Sequence, residues 1–329
     1  MTVHVKTFAA LAVSTFATGC LAPPVATESN APPVLERTIP LTGLRGRIDH
    51  LAIDLRRQRV FVAELGNGSV EAIDLAGGVS LGRVAGLKEP QGLADLPARD
   101  EFAVAGGRDG SVRFYRARDL SPTGTANVGS DADKMRVDTS GRVVVGYGSG
   151  ALAVIDAASR KLIAGLRLPA HPENFRLTGD TVFVNLPNVA RIVVGDLANG
   201  KILASWPAKY GFGFPRTLGA ENANLAVVHR MPPRLQLIDA ANGMAKLDHA
   251  TCGDADDVFF DEARGRAYVI CGSGEIDVVE LARPDRSRRI RTRSGARTGL
   301  YVPELNRLLV AAGATAEEGA GIMVYRPQP

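Results

Sequence analysis

The chain has 329 residues, 45% of them apolar and 22% charged, with a formal net charge of +4. That is a soluble globular composition, large enough for one big or two ordinary domains, and its charge is too mild to point to nucleic acid as a partner without a clustered basic face. Gly is abundant at 36 while aromatics make up only 5%, a balance suited to many tight turns.

The N-terminus reads as an export signal. "MTVHVK" supplies a short positive end through the amino group and Lys6, and "TFAALAVSTFAT" is an apolar run of signal length, too short to span a bilayer. Ala17, Thr18, Gly19 and Cys20 follow. Small residues before a Cys at the end of such a run resemble a bacterial lipobox, with Ala17 standing where Leu is usual. The resemblance implies a signal peptide over residues 1–19, cleavage before Cys20 and lipidation of Cys20; ordinary cleavage at a small-residue site is the alternative. Acyl chains contribute about 0.8 kcal/mol per buried CH₂, so several would hold the protein on a membrane durably. Leu21 lacks the Asp that commonly retains lipoproteins at the inner membrane, which favours the outer membrane and a periplasmic location. Residues 20–33, including "LAPPVATESNAPP", read as a Pro-rich tether. No later stretch reaches about 18 apolar residues, so the lipid anchor is the one membrane contact expected.

From residue 34 onward the chain repeats itself. "RVFVAELGNGSVEAIDL" has counterparts in "EFAVAGGRDGSVRFYRA", "RVVVGYGSGALAVIDA", "TVFVNLPNVARIVVGDL", "NLAVVHRMPPRLQLIDA", "RAYVICGSGEIDVVEL" and "RLLVAAGATAEEGAGIMVYRP". The matching valines are Val62, Val104, Val145, Val184, Val227, Val269 and Val310, spaced 39 to 43 residues apart. Runs of Val, Ile, Leu and Phe bounded by Gly, Asn, Asp and Pro are strand chemistry. Each unit holds four such strands, and the third often ends in Asp74, Asp156, Asp196, Asp239 or Glu280. Four strands per unit of about 40 residues predict an all-β, seven-bladed β-propeller with four antiparallel strands per blade. The seventh copy stops after its third strand. The orphan segment "VLERTIPLTG", placed at 35 to 44, has the alternation to serve as its outer strand, pairing with 321 to 326 and hiding open edges. Residues 34–329 then form one domain; a β-sandwich or two all-β domains would not repeat this regularly.

"RVFVAELGNGSVEAIDLAGG" resembles the repeat of YVTN-type, YncE-like β-propeller proteins, with Val62 and Asp74 in the repeat's valine and aspartate positions. "RVVVGYGSGALAVIDAASRKLIAGLRLPAHPENF", "VFVNLPNVARIVV" and "GARTGLYVPELNRLLVA" resemble later blades of exported bacterial members. The resemblance covers residues 34 to 329. It implies the fold and export, and it implies no reaction.

Cys252 and Cys271 remain beside Cys20, an even pair in a chain bound for an oxidising space. One lies before blade six and the other where its second strand ends, points on the same face. A disulfide is expected, with two buried free thiols as the alternative. No third ligand sits at zinc-finger spacing.

Segments leading into the blades should converge around the central channel. They carry Asp49, His50, Gln91, Asp133, Lys134, Glu173, Asn174, Arg216, Asp256, Asp257 and Arg297, and connectors after the second strands add Glu64, Tyr147, Asn185, His229 and Arg230. Three readings of this polar funnel stay open. The charges simply solvate a wet mouth. Arg216, Arg230, Arg297 and Lys134 hold a small anionic ligand, since guanidinium forks suit carboxylates. Or Asp49, Asp133, Glu173, Asp256 and Asp257 hold a hard cation, which takes several oxygen ligands. No other cofactor is expected. His50 beside Asp49, or His229 facing Glu64, has the outline of a base and its orienter. "RSRRIRTR" at 286 to 293 reads as a guarded outer strand of blade six, or as a polyanion patch. The leading functional reading is non-catalytic binding or scaffolding of a protein or small anion through this face; a lactonase- or hydrolase-type enzyme using the same funnel is the alternative.

Overall fold

In the computed structural model the apolar runs form seven four-stranded antiparallel sheets set around a ring. The structure describes residue 1 and residues 31–210, 213–217 and 224–329, the strand at 213–217 through its backbone alone. The predicted signal peptide, Cys20 and nearly all of the tether therefore lie outside the described residues. Among the described residues no helix is long and apolar enough to cross a membrane.

The innermost strands are Leu51–Asp54, Pro90–Leu96, Met135–Val137, Asn174–Thr178, Gly213–Thr217, Ala255–Asp261 and Thr298–Val302. Three further strands step outward from each. In blade seven the order is Thr298–Val302, Arg307–Ala312, Gly321–Arg326 and then Val34–Pro40, which returns from the chain start. Ile39 pairs with Ile322 and Pro40 with Gly321. The closing strand ends at Pro40, short of the expected 44, because the chain turns at residues 42–43 toward the channel.

Continuous apolar runs arise because both faces of every blade are covered. Neighbouring residues of a strand point to opposite faces. Val60 and Val62 accordingly pack toward blade seven with Leu309 and Val324, while Phe61 and Ala63 pack toward blade two with Leu93, Phe102 and Tyr115. Phe61 and Phe102 stack across that seam with ring centroids 4.1 Å apart. The acidic residues ending the third strands have a local cause. Asp74, Asp156, Asp196 and Asp239 each accept a backbone N–H two or three residues on, from Ala76, Ser159, Ala198 and Ala241, at 2.7–3.0 Å, the side-chain turn that favours Asp there.

Two further devices fasten blade six to the segments around it. Arg266 is buried in blade six and donates to the carbonyls of Ala31 at 3.2 Å and Gln328 at 2.8 Å, so one guanidinium holds the segment entering the closing strand together with the one leaving blade seven. Cys252 and Cys271 are joined as a disulfide with Cα atoms 5.9 Å apart. In the basic outer strand of blade six Arg289 pairs with Asp277 of the same blade, and Arg293, just past that strand, pairs with Glu318 of blade seven, so part of that charge is neutralised.

Candidate functional site

Backbone pairing gives every blade the same reference point. Opposite the seven repeat valines lie Leu51, Leu93, Met135, Phe175, Pro215, Val258 and Gly299. Two residues earlier come Asp49, Gln91, Asp133, Glu173, Gly213, Asp256 and Arg297, one per blade. All of these except Gly213, whose surroundings are not described, line a cavity of about 140 Å³ at the channel mouth, together with Arg47, Ile48, His50, Lys134, Arg230, Asp257 and Thr298. Gly92 precedes Leu93 for a packing reason. A Cβ there would collide with the carbonyl oxygen of Asp133, so bare backbone lets blade three's leading segment close against blade two.

Blades one and three supply the deeper half of the mouth. His50 Nδ1 is 2.9 Å from Asp49 Oδ2, and Lys134 Nζ touches His50 Nε2. An ammonium has donors only, so Nε2 accepts, and the ring proton sits on Nδ1 and is donated to Asp49. Arg47 pairs with the other Asp49 oxygen at 3.0 Å. Burial works against the Asp49 charge, but His50, Lys134 and Arg47 together outweigh it and hold the carboxyl well below its ordinary range. Asp133 goes the other way. Burial raises its pKa, and Asp49 and Glu173 add repulsion that His50 and Lys134 do not cancel. Its Oδ1 is buried with no hydrogen-bond partner among the described residues.

Blades five to seven supply a more open half. Arg230 reaches Asp256 and lies 3.5 Å from Asp254, and Arg297 lies 3.2 Å from the same Asp254. Asp257 Oδ2 accepts from the Gly299 amide at 3.2 Å.

The predicted residues divide cleanly. Asp49, His50, Gln91, Asp133, Lys134, Glu173, Arg230, Asp256, Asp257 and Arg297 meet at the mouth. Asn174 and His229 do not. Asn174 is buried and accepts from Arg136 and from the Phe175 amide, and His229 is buried against Gln236 at 3.0 Å and the edge of Tyr210. Each is the immediate neighbour of a mouth residue, Glu173 or Arg230, and strand alternation turns it into the sheet. Glu64, expected opposite His229, is instead buried against Ser69 and Arg83 in blade one. Arg216 sits opposite Ala226, three residues past the ring position, and its side chain is outside the described residues. Arg47 and Asp254 escaped the sequence reading. Arg47 lies one step before the repeat becomes recognisable, and Asp254 follows the Cys252–Gly253 connector, where the bulge between Ala255 and Asp257 breaks the count.

No family model matches the sequence, and neither does any curated protein. Among solved structures the chain is similar to hydrazine synthase of Kuenenia stuttgartiensis, at a TM-score of 0.70 and 15% identity, over 87% of this chain and 99% of that one. At that identity the likeness speaks for the propeller fold alone.

Proposed function

We propose that the protein is an exported, non-catalytic binding module of the YncE-like, YVTN-type group, lipid-anchored through Cys20 on the periplasmic side of the outer membrane, and that its channel mouth takes a small anionic ligand. One observation carries the ligand class: Arg230 of blade five and Arg297 of blade seven converge on one part-exposed carboxylate, that of Asp254. An internal carboxylate held by two guanidinium groups from different blades stands where an external one would dock. The cavity of about 140 Å³ is close to the roughly 150 Å³ that accommodates benzene in an engineered protein core, so the ligand is a molecule of few heavy atoms. A lactonase or hydrolase would need His50 Nε2 to take a proton, and that nitrogen already accepts from Lys134; binding is the better-supported use.

Calorimetric titration with acetate, succinate, citrate and phosphate tests the ligand class. Arg230→Ala and Arg297→Ala are each expected to weaken the best anion about tenfold or more, the value of one charge-assisted hydrogen bond, and Asp254→Asn to tighten it. Absence of binding by all four, or affinity unmoved by both arginine variants, defeats the reading. Mass spectrometry of protein taken from its own envelope tests the anchor, which Cys20→Ser should remove.

A further inference from the structure

Past the mouth the channel leads to a second cavity, of about 260 Å³, whose chemistry is separate from that of the arginines. We propose that this cavity binds an arylalkylamine, a primary ammonium on a short chain carrying one aromatic ring, with Asp95 as the counter-ion of the ammonium and Phe259 beside the ring.

The wall is built from the inner strands of blades one, two, three, six and seven. Ile53, Leu93, Ala94, Val137, Phe259 and Leu300 give it a largely hydrocarbon surface. Four ionisable groups interrupt that surface, and three of them are engaged elsewhere. His50 is held between Asp49 and Lys134. Asp257 accepts from the Gly299 amide at 3.2 Å. Arg136 donates to the Met135 carbonyl at 2.7 Å and to Asn174 of blade four at 3.0 Å, and lies 5.9 Å from the centre of the Phe175 ring, so it is drawn toward blade four.

Asp95 is the fourth. Among the described residues its carboxyl makes no ion pair, and the one hydrogen-bond donor acting on it is the Leu96 amide. Its neighbouring cations, Arg56 and Arg57, are taken by other acids. Arg57 spans Asp54 at 2.6 Å and Asp100 at 2.7 Å, and Arg56 lies 3.4 Å from Asp100 and 3.8 Å from Asp54. A carboxylate set in an apolar wall without a partner is costly, and a ligand ammonium removes that cost through a charge-assisted hydrogen bond. An anion would be repelled. A hard metal ion takes about six or more oxygen ligands, and the wall beside Asp95 is hydrocarbon. Size sets the rest of the ligand. A cavity of about 150 Å³ accommodates benzene, so about 260 Å³ has room for one ring and a short chain. Phe259 offers that ring an aromatic neighbour and Met135 a thioether. None of this rests on the anion reading of the mouth.

The test is calorimetric titration of the full-length protein with 2-phenylethylamine hydrochloride at pH 8, in a buffer free of other amines. One equivalent is expected to bind. 2-Phenylethanol, the same body without the charge, should bind at least tenfold more weakly. Asp95→Asn should weaken the amine at least tenfold, with circular dichroism showing the fold intact, and Glu89→Gln outside the cavity should leave it unchanged. Wild-type protein alone gives a second readout. The Asp95 carboxyl, pushed up to about 7 by burial and by Asp54, has to ionise to hold an ammonium, so affinity should rise about tenfold from pH 6 to pH 8. Asp54, Arg56 and Arg57 of blade one face Asp95, and His50, Arg136 and Asp257 share its wall; Asp95→Asn keeps all six and should show no such rise. The proposal is overturned if the amine fails to bind one equivalent at pH 8, if the alcohol or the Asp95→Asn variant matches the wild-type amine affinity, or if wild-type affinity does not rise with pH. Amine and anion are titrated separately, so failure of either reading leaves the other standing.

Discussion

Asp49 and Asp95 are both carboxyls beside the same channel, in adjacent blades, and their proton affinities move in opposite directions. At the mouth, burial is outweighed by His50, Lys134 and Arg47, and Asp49 stays ionised. Further along, Asp95 lines a second cavity of about 260 Å³ that shares His50 and Asp257 with the mouth. There burial and the nearby Asp54 outweigh Arg56, the Leu96 amide and Arg57, and the carboxyl is pushed up to about 7. Asp54 has already taken Arg57, at 2.6 Å. The difference teaches that the channel is not evenly polar. At the mouth Asp49 is kept ionised by the cations around it, while further along Asp95 is pushed up to about 7, near neutrality.

The largest effect should come from removing the cation that makes the mouth different. Lys134→Met leaves Asp49 and Asp133 buried without their shared counter-charge, and breaking such a pair costs about 4 kcal/mol. Urea unfolding at pH 7.5 should show that loss. It should shrink toward pH 4, because the variant's carboxyls gain raised folded-state pKa values and so lose stability only as pH rises through them. An undiminished loss at pH 4 would mean that packing of the lysine stem, not charge, is what matters.

Next in size is the disulfide. It spans 19 residues and ties the segment bearing Asp254 and Asp256 to the second strand of blade six, whereas the Asp49–Lys134 half has no covalent tie. Replacing both cysteines by Ala should cost about 3 kcal/mol by the chain-entropy relation. It should also loosen anion binding, as titration of the same variant will report.

Asp95→Asn should have the smallest effect and the opposite sign. The folded-state pKa of Asp95 is raised above its unfolded value of 3.8 to about 7. Its contribution is therefore fully present below pH 4 and lost as pH climbs toward 7. The amide cannot ionise, so the variant should be the more stable protein at pH 8, on the order of 2 kcal/mol after allowing for screening at a partly exposed group. The two proteins should converge near pH 4. Equal melting temperatures at pH 8 would show that water or rearrangement already relieves the charge.

The legible and the illegible parts of the site differ by one strand step. Glu173 reaches the cavity and Asn174 does not; Arg230 reaches it and His229 does not. A sequence reading locates the segment that leads into a blade from its turn residues, but which of two adjacent side chains faces the channel depends on the pairing register, and a slip of one residue reverses the answer. Arg216 illustrates the larger slip. The sequence offers Arg216 as the channel-facing residue before Val227, while the backbone pairing puts the ring position three residues earlier, at Gly213.

Strand count, the seven repeats and the return of the first strand to the last blade were readable from one dimension, because each rests on contacts among near neighbours or on alternation along a single strand. The meeting of Lys134 with His50 across 84 residues, the grip of Arg266 on Ala31 and Gln328, the convergence of Arg230 and Arg297 on Asp254, and the opposed behaviour of Asp49 and Asp95 were not. Those depend on how far each sheet turns about the axis before the circle shuts, and on the loss of water as it shuts. Neither quantity is carried by any short stretch of residues.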